Sequence, residues 1–322
     1  MYSYAQVRDI KKWGKPEFVY DNVDKFESSP ELKNGVHTII HNGVPIDILL
    51  DLRHGAPLTF IFKGNTRRKA DTRLPVFVGF SIVSPVGNSR VSISDPGMYL
   101  DPTIGLAWYA GGKNLDIQSV LPRIIQKIVS TTAPSKVMMI GGSGGGYAAM
   151  YYSRYVAESL AVAWNPQNDF LDYEERGVMA YVSKAFDVSN IDEAKAVVPR
   201  YVNNELSSFY RKTSASNYVI YLQNIIDTHV EKHCKPFMAS FGYEISTDVK
   251  YKLVNTNTYL YFSDNWGGDH EPPPKEFLSS ITRDLLAYDG SWGQLLNTHD
   301  IVDILNKADN TRQNNDLREI GA

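Results

Sequence analysis

Short apolar runs broken by glycine, proline and polar residues dominate the first third of the chain. Strand-like runs occur at 35–52, 57–65 and 74–83, and the first of them is interrupted by Asn42-Gly43. This dipeptide is typical of a tight β-hairpin, because both residues accept a positive φ. The early part of the chain is therefore predicted to be rich in strands.

Strands and helices are predicted to alternate from residue 117 onward. Residues 117–132 carry apolar side chains at helical spacing, and 135–142 form an uninterrupted apolar run of the kind found in buried parallel strands. A helix is predicted directly after the glycines that end this run. The remaining expected elements are strands at 159–167, 217–227 and 256–266 and helices at 273–288 and 293–307. This alternation predicts an α/β protein with a doubly wound, mostly parallel sheet.

The pattern indicates one domain over residues 1–322 with three additions. Residues 1–34 mix polar and aromatic side chains and are expected to cover the surface. Residues 168–212 are charged and largely helical, which suggests a helical lid inserted over the carboxyl edge of the sheet. Residues 308–322 read as a frayed polar tail.

Composition narrows the classes of function. Of the 322 residues, 43% are hydrophobic and 21% are charged, with a net charge of −3, so a globular protein that does not bind nucleic acid is expected. The basic cluster at 63–73 is interpreted as a solvated loop. The single cysteine, Cys234, cannot form an internal disulfide or a cysteine-based zinc site.

Location follows from the absence of long apolar segments in the sequence. No stretch resembles a signal peptide or approaches the roughly 18 apolar residues of a membrane span. We expect a soluble, cytoplasmic protein, with association with a phage or a cell surface left open. The oligomeric state is left open as well.

The glycine cluster after the buried strand is the main functional signal. Residues Gly141-Gly142-Ser143-Gly144-Gly145 match G-x-S-x-G between a predicted strand and a predicted helix. In that context the serine lies on a sharp turn that exposes its hydroxyl, and its close neighbours must lack side chains. The N–H of Gly144, at the helix N-terminus, is a candidate donor to an oxyanion.

Two other interpretations of the glycines compete. Residues 144–149 also match G-x-G-x-x-A, the dinucleotide-binding pattern, but several strands precede it and Asp169 is a late candidate for the expected acid. A flexible hinge would need no partners elsewhere. The strand and helix around Ser143 favour a nucleophile.

A nucleophilic serine needs a base, and the base needs an orienting acid. The chain order for this kind of turn is serine, acid, histidine. Asp227 ends a predicted strand, and His270 lies in a loop rich in glycine and proline after the next strand. Asp264 competes with Asp227 as the acid, whereas Asp269 is expected to point away from His270.

His229 and His233 are four residues apart and would share one helical face near Asp227. The glutamate of the zinc-protease motif is missing, so no metal is expected and both histidines are predicted to shape the pocket. His299, in a polar stretch, is expected at the surface.

The second oxyanion donor is sought after an early strand, where Asn65 follows Gly64. The aromatic, glycine-rich stretch 95–112 could line the entrance to the site. Trp108 and Tyr109 are its candidate pocket residues.

Four stretches carry a resemblance to a known superfamily: "GGSGGGYAAMYY", "AWNPQND", "YLQNIIDTHVEKHCKPF" and "GGDHEPPPKEF". Over roughly residues 57–285 the chain resembles α/β-hydrolases. More narrowly, it resembles bacterial and phage hydrolase-like proteins related to capsule-biosynthesis and accessory-secretion carbohydrate acetyltransferases. The resemblance implies no cofactor and a triad of Ser143 as nucleophile, Asp227 as acid and His270 as base. The chain departs from the pattern at Lys63-Gly64, where His-Gly is common.

These observations predict a serine-dependent hydrolase, an esterase or deacylase, that acts on a small-molecule or glycan ester through an acyl-enzyme. The alternatives are an O-acyltransferase that modifies a glycan and a non-catalytic module that binds a glycan or a protein.

Overall fold

The computed structural model describes residues 6–84, 86–212, 216–246 and 249–309. The strands within them are β1 (Glu17–Tyr20), β2 (Gly35–His41), β3 (Val44–Asp51), β4 (Leu58–Phe62), β5 (Ser89–Ile93), β6 (Val137–Gly142), β7 (Leu160–Trp164), β8 (Tyr218–Asn224), β9 (Tyr251–Asn255) and β10 (Thr258–Ser263). The helices with defined bounds are α1 (Val23–Glu27), α2 (Ile117–Thr132), α3 (Gly144–Ser153), α4 (Glu175–Ala185), α5 (Ile191–Val197), α6 (Leu206–Lys212), α7 (Lys235–Ala239), α8 (Lys275–Ala287) and α9 (Trp292–Leu296). A further helical segment covers 300–309.

All these strands join one sheet in the order β1-β2-β3-β5-β4-β6-β7-β8-β10-β9. The six strands from β5 to β10 in this order are mutually parallel, and β2, β3 and β9 supply the antiparallel pairings. The predicted α/β architecture with a mostly parallel sheet is confirmed. The carboxyl ends of β4, β6, β7, β8 and β10 consequently meet along one edge, where ligand sites of such sheets form.

The sheet is buried on both faces. In β4, Phe60 and Phe62 pack into the core with α2 and α3, whereas Ile61 packs into the opposite core with α8 and α9. Side chains alternate between the faces of a strand, so a central strand needs apolar residues at every position. This explains the uninterrupted apolar run of β6 and the apolar character of β4, where Thr59 is the one polar residue.

Several predicted elements are confirmed closely. The predicted helix 117–132 coincides with α2. The hairpin of β2 and β3 turns through Asn42 and Gly43, whose φ angles are 49° and 77°. Both angles lie in the left-handed region that asparagine and glycine tolerate best.

The predicted strand at 74–83 is wrong. Its residue Pro75 has no backbone N–H to offer a neighbouring strand. The N–H groups of Val76 and Val78 donate instead to the side-chain hydroxyls of Ser94 and Ser92. A central strand that the sequence did not reveal is β5, whose alternating serines disguise it.

The prediction for 1–34 was incomplete. This segment adds β1, parallel to β2, and α1, whose Val23 and Phe26 are buried in the core. At the other end, the predicted helix 293–307 is two helices, because α9 ends at Leu296 and the next begins at 300, where the Asp300 N–H donates to Thr298 Oγ1 (3.4 Å).

The structure describes the whole of the predicted lid segment and only the first residues of the predicted tail. Residues 168–212 contain α4, α5 and α6, in agreement with the predicted helical content, and their role as a lid stays a prediction. Of the predicted tail 308–322, residues 308 and 309 belong to the last helical segment, and 310–322 lie outside the described residues. None of the described helices is long and apolar enough to cross a membrane.

Candidate active site

The candidate site is assembled by loops at the carboxyl ends of four neighbouring strands. Ser143 follows β6, Gln167 follows β7, Asp227 follows β8 and His270 follows β10. Because these strands are parallel, residues up to 127 positions apart in the sequence reach one edge of the sheet.

Ser143 occupies the sharp turn that the sequence predicts. Its backbone angles are φ 55° and ψ −123°, a strained conformation for a residue with a side chain. A Cβ added to Gly145 would lie 2.4 Å from the Phe62 carbonyl oxygen, and one added to Gly142 would lie 1.9 Å from Trp164 Nε1. Gly145 therefore permits the close approach of α3 to β4, and Gly142 permits that of the end of β6 to the Trp164 side chain on β7. Both contacts hold the turn.

Ser143, His270 and Asp227 form a continuous hydrogen-bonded chain. His270 Nε2 lies 3.0 Å from Ser143 Oγ, and His270 Nδ1 lies 2.6 Å from Asp227 Oδ2. A carboxylate only accepts, so Nδ1 carries the proton and Nε2 is free to accept the serine proton. Asp227 is 3% exposed, and its Oδ1 accepts from the His229 N–H (2.8 Å). Burial acts to raise the pKa of Asp227, but the hydrogen bonds from His270 and the His229 N–H outweigh it and lower that pKa.

The two other acids considered near His270 lie outside this chain. Asp264 is exposed, and the structure pairs His270 with Asp227. The side chain of Asp269 accepts from the N–H and the hydroxyl of Thr228, both at 3.2 Å, and so points away from the imidazole as expected.

Buried amides at the ends of β7 and β8 hold the histidine loop. Asn165 donates to the carbonyl of Glu271 (2.8 Å), and Asn224 donates to the carbonyl of Asp269 (2.9 Å). These are the residues on either side of His270. The two amides are also linked, since the Asn224 N–H donates to Asn165 Oδ1 (2.8 Å). Both ends of the loop are thus fixed next to the base.

The sequence analysis did not single out Gln167, which is fully buried against Ser143. Its Nε2 donates to Ser143 Oγ (2.7 Å), and its Oε1 accepts from Trp108 Nε1 (2.8 Å). An indole N–H can only donate, which fixes the oxygen of the amide toward Trp108 and its NH₂ toward Ser143. The polar run Asn-Pro-Gln-Asn-Asp directly after β7 was the available sequence signal.

The two predicted aromatic pocket residues lie behind the site. Trp108 is fully buried, contacts the site through Gln167 and forms part of the wall of a second cavity beside it. Tyr109 is also fully buried, where its hydroxyl accepts from the Lys63 N–H (2.7 Å) and donates to the Ile93 carbonyl (3.1 Å). Tyr109 therefore anchors the start of the loop that follows β4.

His229 and His233 lie beside the base. The ring of His229 is 3.9 Å from the His270 ring and 4.8 Å from the His233 ring, measured between centroids. Burial, followed by the neighbouring histidines, lowers the pKa of His229 to about 4 and that of His233 to about 3, so both are neutral at neutral pH. Possible ligand atoms of Asp227, His229 and His270 lie within 4.8 Å of one another. The bond between Asp227 and His270 accounts for that grouping.

A cavity of about 430 Å³, the catalytic cavity, opens at Ser143 and His270. Its other lining residues are Ile61, Phe62, Lys63, Gly64, Asn65, Val78, Gly79, Ile82, Gly142, Trp164, Asn165, Tyr173 and Pro272. Most of these side chains are apolar. The triad residues are absent from the lining of a larger, mainly polar cavity of about 930 Å³ beside α2, α3 and α6.

The candidate oxyanion donors lie on both sides of the nucleophile. Asn65 lines the catalytic cavity, and a Cβ on Gly64 would lie 2.9 Å from the Gly142 carbonyl oxygen. The loop after β4 thus runs close to the turn. Gly144 begins α3 directly after Ser143. Their roles as donors stay predictions.

No family model and no curated protein matches the sequence. Solved structures do match. The capsule O-acetyltransferase of Neisseria meningitidis serogroup A superposes with a TM-score of 0.54 at 12% identity, over 76% of this chain and 95% of that one. A structure of that acetyltransferase in complex with CoA gives 0.50 at 14% identity, over 71% and 89%. A putative dipeptidyl aminopeptidase IV from Bacteroides ovatus gives 0.52 at 12% identity, over 79% and 35%.

Likeness at this level of identity shows a common fold. The neighbours are enzymes of the α/β-hydrolase type, and they include the capsule O-acetyltransferase that the sequence resemblance anticipated. The chain has the α/β-hydrolase fold.

Proposed function

We propose that the protein is a serine-dependent esterase that works through a covalent acyl-enzyme. The observation that carries this proposal is the hydrogen-bonded chain from Ser143 through His270 to Asp227, with separations of 3.0 and 2.6 Å. Its geometry meets the requirement that nucleophile, base and orienting acid lie within hydrogen-bond reach of one another.

The reaction proceeds in two halves. Ser143 Oγ attacks the acyl carbonyl while His270 Nε2 takes the hydroxyl proton, and Asp227 stabilises the resulting imidazolium. His270 then returns that proton to the leaving alcohol, which departs as the carbon–oxygen bond of the ester breaks. In the second half, water loses a proton to His270 and attacks the acyl-enzyme. The bond between the acyl carbon and Ser143 Oγ then breaks, His270 returns the proton to that oxygen, and the acid is released.

Gln167 prepares the nucleophile for this reaction. Its amide N–H occupies one lone pair of Ser143 Oγ, which leaves the serine proton directed at His270 Nε2. The N–H groups of Gly144 and Asn65 are the proposed donors to the oxyanion.

The catalytic cavity suits a short acyl group. Apolar side chains such as Ile61, Val78 and Ile82 line it, and its volume of about 430 Å³ is modest. Esters of carbohydrates are the proposed substrates. Transfer of the acyl group to a glycan hydroxyl is the second candidate, supported by the fold likeness to a capsule O-acetyltransferase. It uses the same acyl-enzyme and replaces water with an alcohol.

A fluorophosphonate probe tests the proposal, because it forms a bond to an activated serine only. We expect labelling of the wild type and none of Ser143→Ala or His270→Ala, and a loss of about 10⁶-fold in the kcat for a short aryl ester. The exposed Ser130 and His299 supply matched controls, and their alanine variants should be labelled like the wild type. A folded wild type that is neither labelled nor active on short esters would overturn the proposal in favour of a binding module.

A further inference from the structure

A second cavity adjoins the catalytic cavity. Its volume is about 450 Å³, and it shares Asn65 and Tyr173 with the catalytic cavity. A substrate whose ester lies at Ser143 can therefore extend past these two residues into the second cavity. We call this space the arginine cavity, after the three arginines in its lining.

The lining of the arginine cavity is basic. It contains Arg67, Arg68 and Arg176, and Glu174 is the one acidic residue among its lining residues. Three positive charges and one negative charge give a local balance of +2, in a chain whose net charge is −3. The catalytic cavity adds Lys63 and no carboxylate to this wall. The positive charge is thus concentrated at the site and does not reflect a basic protein.

The arginines differ in how they are held. Arg68 is half-buried, and its Nη1 donates to the carbonyls of Met98 (3.3 Å) and Ile104 (3.5 Å). Arg67 and Arg176 are exposed, and neither forms an ion pair with any residue in the described part of the chain. One guanidinium is therefore fixed in the wall, and two are available to a ligand.

This arrangement changes the interpretation of the basic cluster at 63–73. The sequence analysis took it for a solvated loop, as most such runs are. The fold instead places Lys63 and Asn65 on the wall of the catalytic cavity and Arg67 and Arg68 on the wall of the adjoining one.

We propose that the arginine cavity is a subsite for an anionic group, a phosphate or a carboxylate, carried by the ester substrate. The inference rests on the proposed function, and it narrows the substrate class from esters in general to anionic esters. A guanidinium presents a planar pair of N–H donors that matches both anions, so Arg67 and Arg176 would close on the group from the solvent side. No bond is made or broken at this subsite.

Matched aryl acetates test the subsite: phenyl acetate, 4-acetoxybenzoate and 4-acetoxyphenyl phosphate. The measured quantity is the ratio of kcat/KM for each anionic ester to that for phenyl acetate. In the double variant Arg67→Ala/Arg176→Ala, we expect this ratio to fall by about 10- to 100-fold, mainly through KM, at about tenfold per lost contact. In Arg200→Ala, which removes an exposed arginine from the larger polar cavity, the ratio should stay as in the wild type.

The two anionic esters distinguish the possible sources of the charge. A larger fall for the phosphate ester assigns the subsite to a phosphorylated substrate, and a larger fall for the benzoate assigns it to an acidic sugar or another carboxylate. A ratio that does not change in the double variant, or that changes as much in Arg200→Ala, would overturn the proposal.

A direct binding measurement separates this inference from the proposed function. Inorganic pyrophosphate should bind to the wild type and to Ser143→Ala, and at least tenfold more weakly to the double arginine variant. If no Ser143-dependent turnover exists but this binding pattern holds, the proposed function fails and the anion subsite stands. If turnover is present and the double variant binds pyrophosphate like the wild type, the subsite alone fails.

Discussion

Ser143 and His270, the proposed nucleophile and the proposed base, are positioned by different means. Ser143 is fixed by backbone packing, since glycines let α3 approach β4 and β7 closely enough to hold a strained turn. His270 lies on an extended loop and is fixed by side-chain hydrogen bonds, from Asn165 and Asn224 to the residues that flank it. The glycines of the first device are neighbours in the sequence, although the Phe62 carbonyl that Gly145 approaches lies about 83 positions away. The second device joins residues 45 and 106 positions apart.

This difference predicts different effects for substitutions at the turn of Ser143 and for substitutions that loosen the loop of His270. A side chain added to the nucleophile turn must displace backbone, which costs stability as well as activity. The loss of an amide that holds the loop carrying His270 should reduce catalysis more than folding, because the loop can move without unpacking the sheet. The experiments below test this contrast.

The largest effect is expected for Gly145→Ala. Its new Cβ would lie 2.4 Å from the Phe62 carbonyl oxygen and 2.8 Å from the carbonyl carbon of Lys63. The gain of about 1 kcal/mol from alanine in a helix is small beside this overlap of backbone atoms. We expect the free energy of unfolding in urea to fall by about 3 kcal/mol and fluorophosphonate labelling to be lost.

Gly268→Ala is the matched control in the histidine loop, since nothing lies within 4 Å of its added Cβ. Its free energy of unfolding should stay within about 0.5 kcal/mol of the wild type. Equal stability of Gly145→Ala and Gly268→Ala would show that the glycine packing does not hold the turn.

Gln167 connects the two halves, and its replacement should reduce activity strongly. Gln167→Met keeps much of the volume but removes the donor to Ser143 Oγ. We expect kcat to fall by about 100-fold, which corresponds to about 2.7 kcal/mol, with KM little changed. Trp108→Phe removes the N–H that orients the amide, together with part of the buried indole, and should lower kcat less. If Trp108→Phe is as damaging as Gln167→Met, packing around the indole is responsible and the amide donor is not.

A smaller effect is expected from Asn165→Ala. This change removes the bond to the Glu271 carbonyl and frees one end of the loop that carries His270. We expect kcat to fall by about tenfold at unchanged KM, together with slower labelling of Ser143, because a displaced base takes the serine proton less well. Asn297→Ala removes an exposed amide that donates to the Gly293 carbonyl, and it should behave like the wild type. A fall in stability without a fall in kcat would make Asn165 purely structural.

The last effect concerns the pH dependence of stability. The pKa values of His229 and His233 in the folded protein, about 4 and about 3, lie below the ordinary value of 6.5. As the pH falls below 6.5 the unfolded chain binds protons that the folded chain does not, so stability decreases on acidification. Each histidine contributes up to about 1.4 kcal/mol per pH unit within this window.

Urea unfolding at pH 7 and pH 5 measures this dependence. His233→Leu should remove about half of the decrease in the free energy of unfolding that the two histidines cause between pH 7 and pH 5. Above pH 7, the free energy of unfolding should show no comparable dependence on pH. Asp227 affects stability in a lower pH range. Its pKa is lowered in the folded protein, so it stabilises the fold at pH values above the ordinary carboxyl pKa, and this stabilisation is lost as the pH falls through its pKa in the folded protein. If His233→Leu and the wild type lose the same free energy of unfolding between pH 7 and pH 5, His233 does not contribute to the pH dependence of stability.

Sequence reasoning was most successful where the residues that form a feature are adjacent in the chain. The turn at Ser143 was predictable, because a buried strand, a cluster of glycines and a helix are adjacent in the sequence. Asp227 and His270 could be proposed from chain order alone, but the choice of Asp227 over Asp264 had no local basis. The strand β5 and the true course of 74–83 were missed, since side-chain hydroxyls take the place of a backbone ladder there.

The sequence by itself determined the alternation of strands and helices, the nucleophile turn and the residue types available for its partners. These depend on periodicity and on backbone preferences within a few residues. Only the tertiary structure decided that His270 bonds Asp227, that Gln167 faces Ser143 and that the arginines of a basic run adjoin the catalytic cavity. Such contacts depend on which strand ends become neighbours in the sheet, and the strand order arises from the packing of the whole chain.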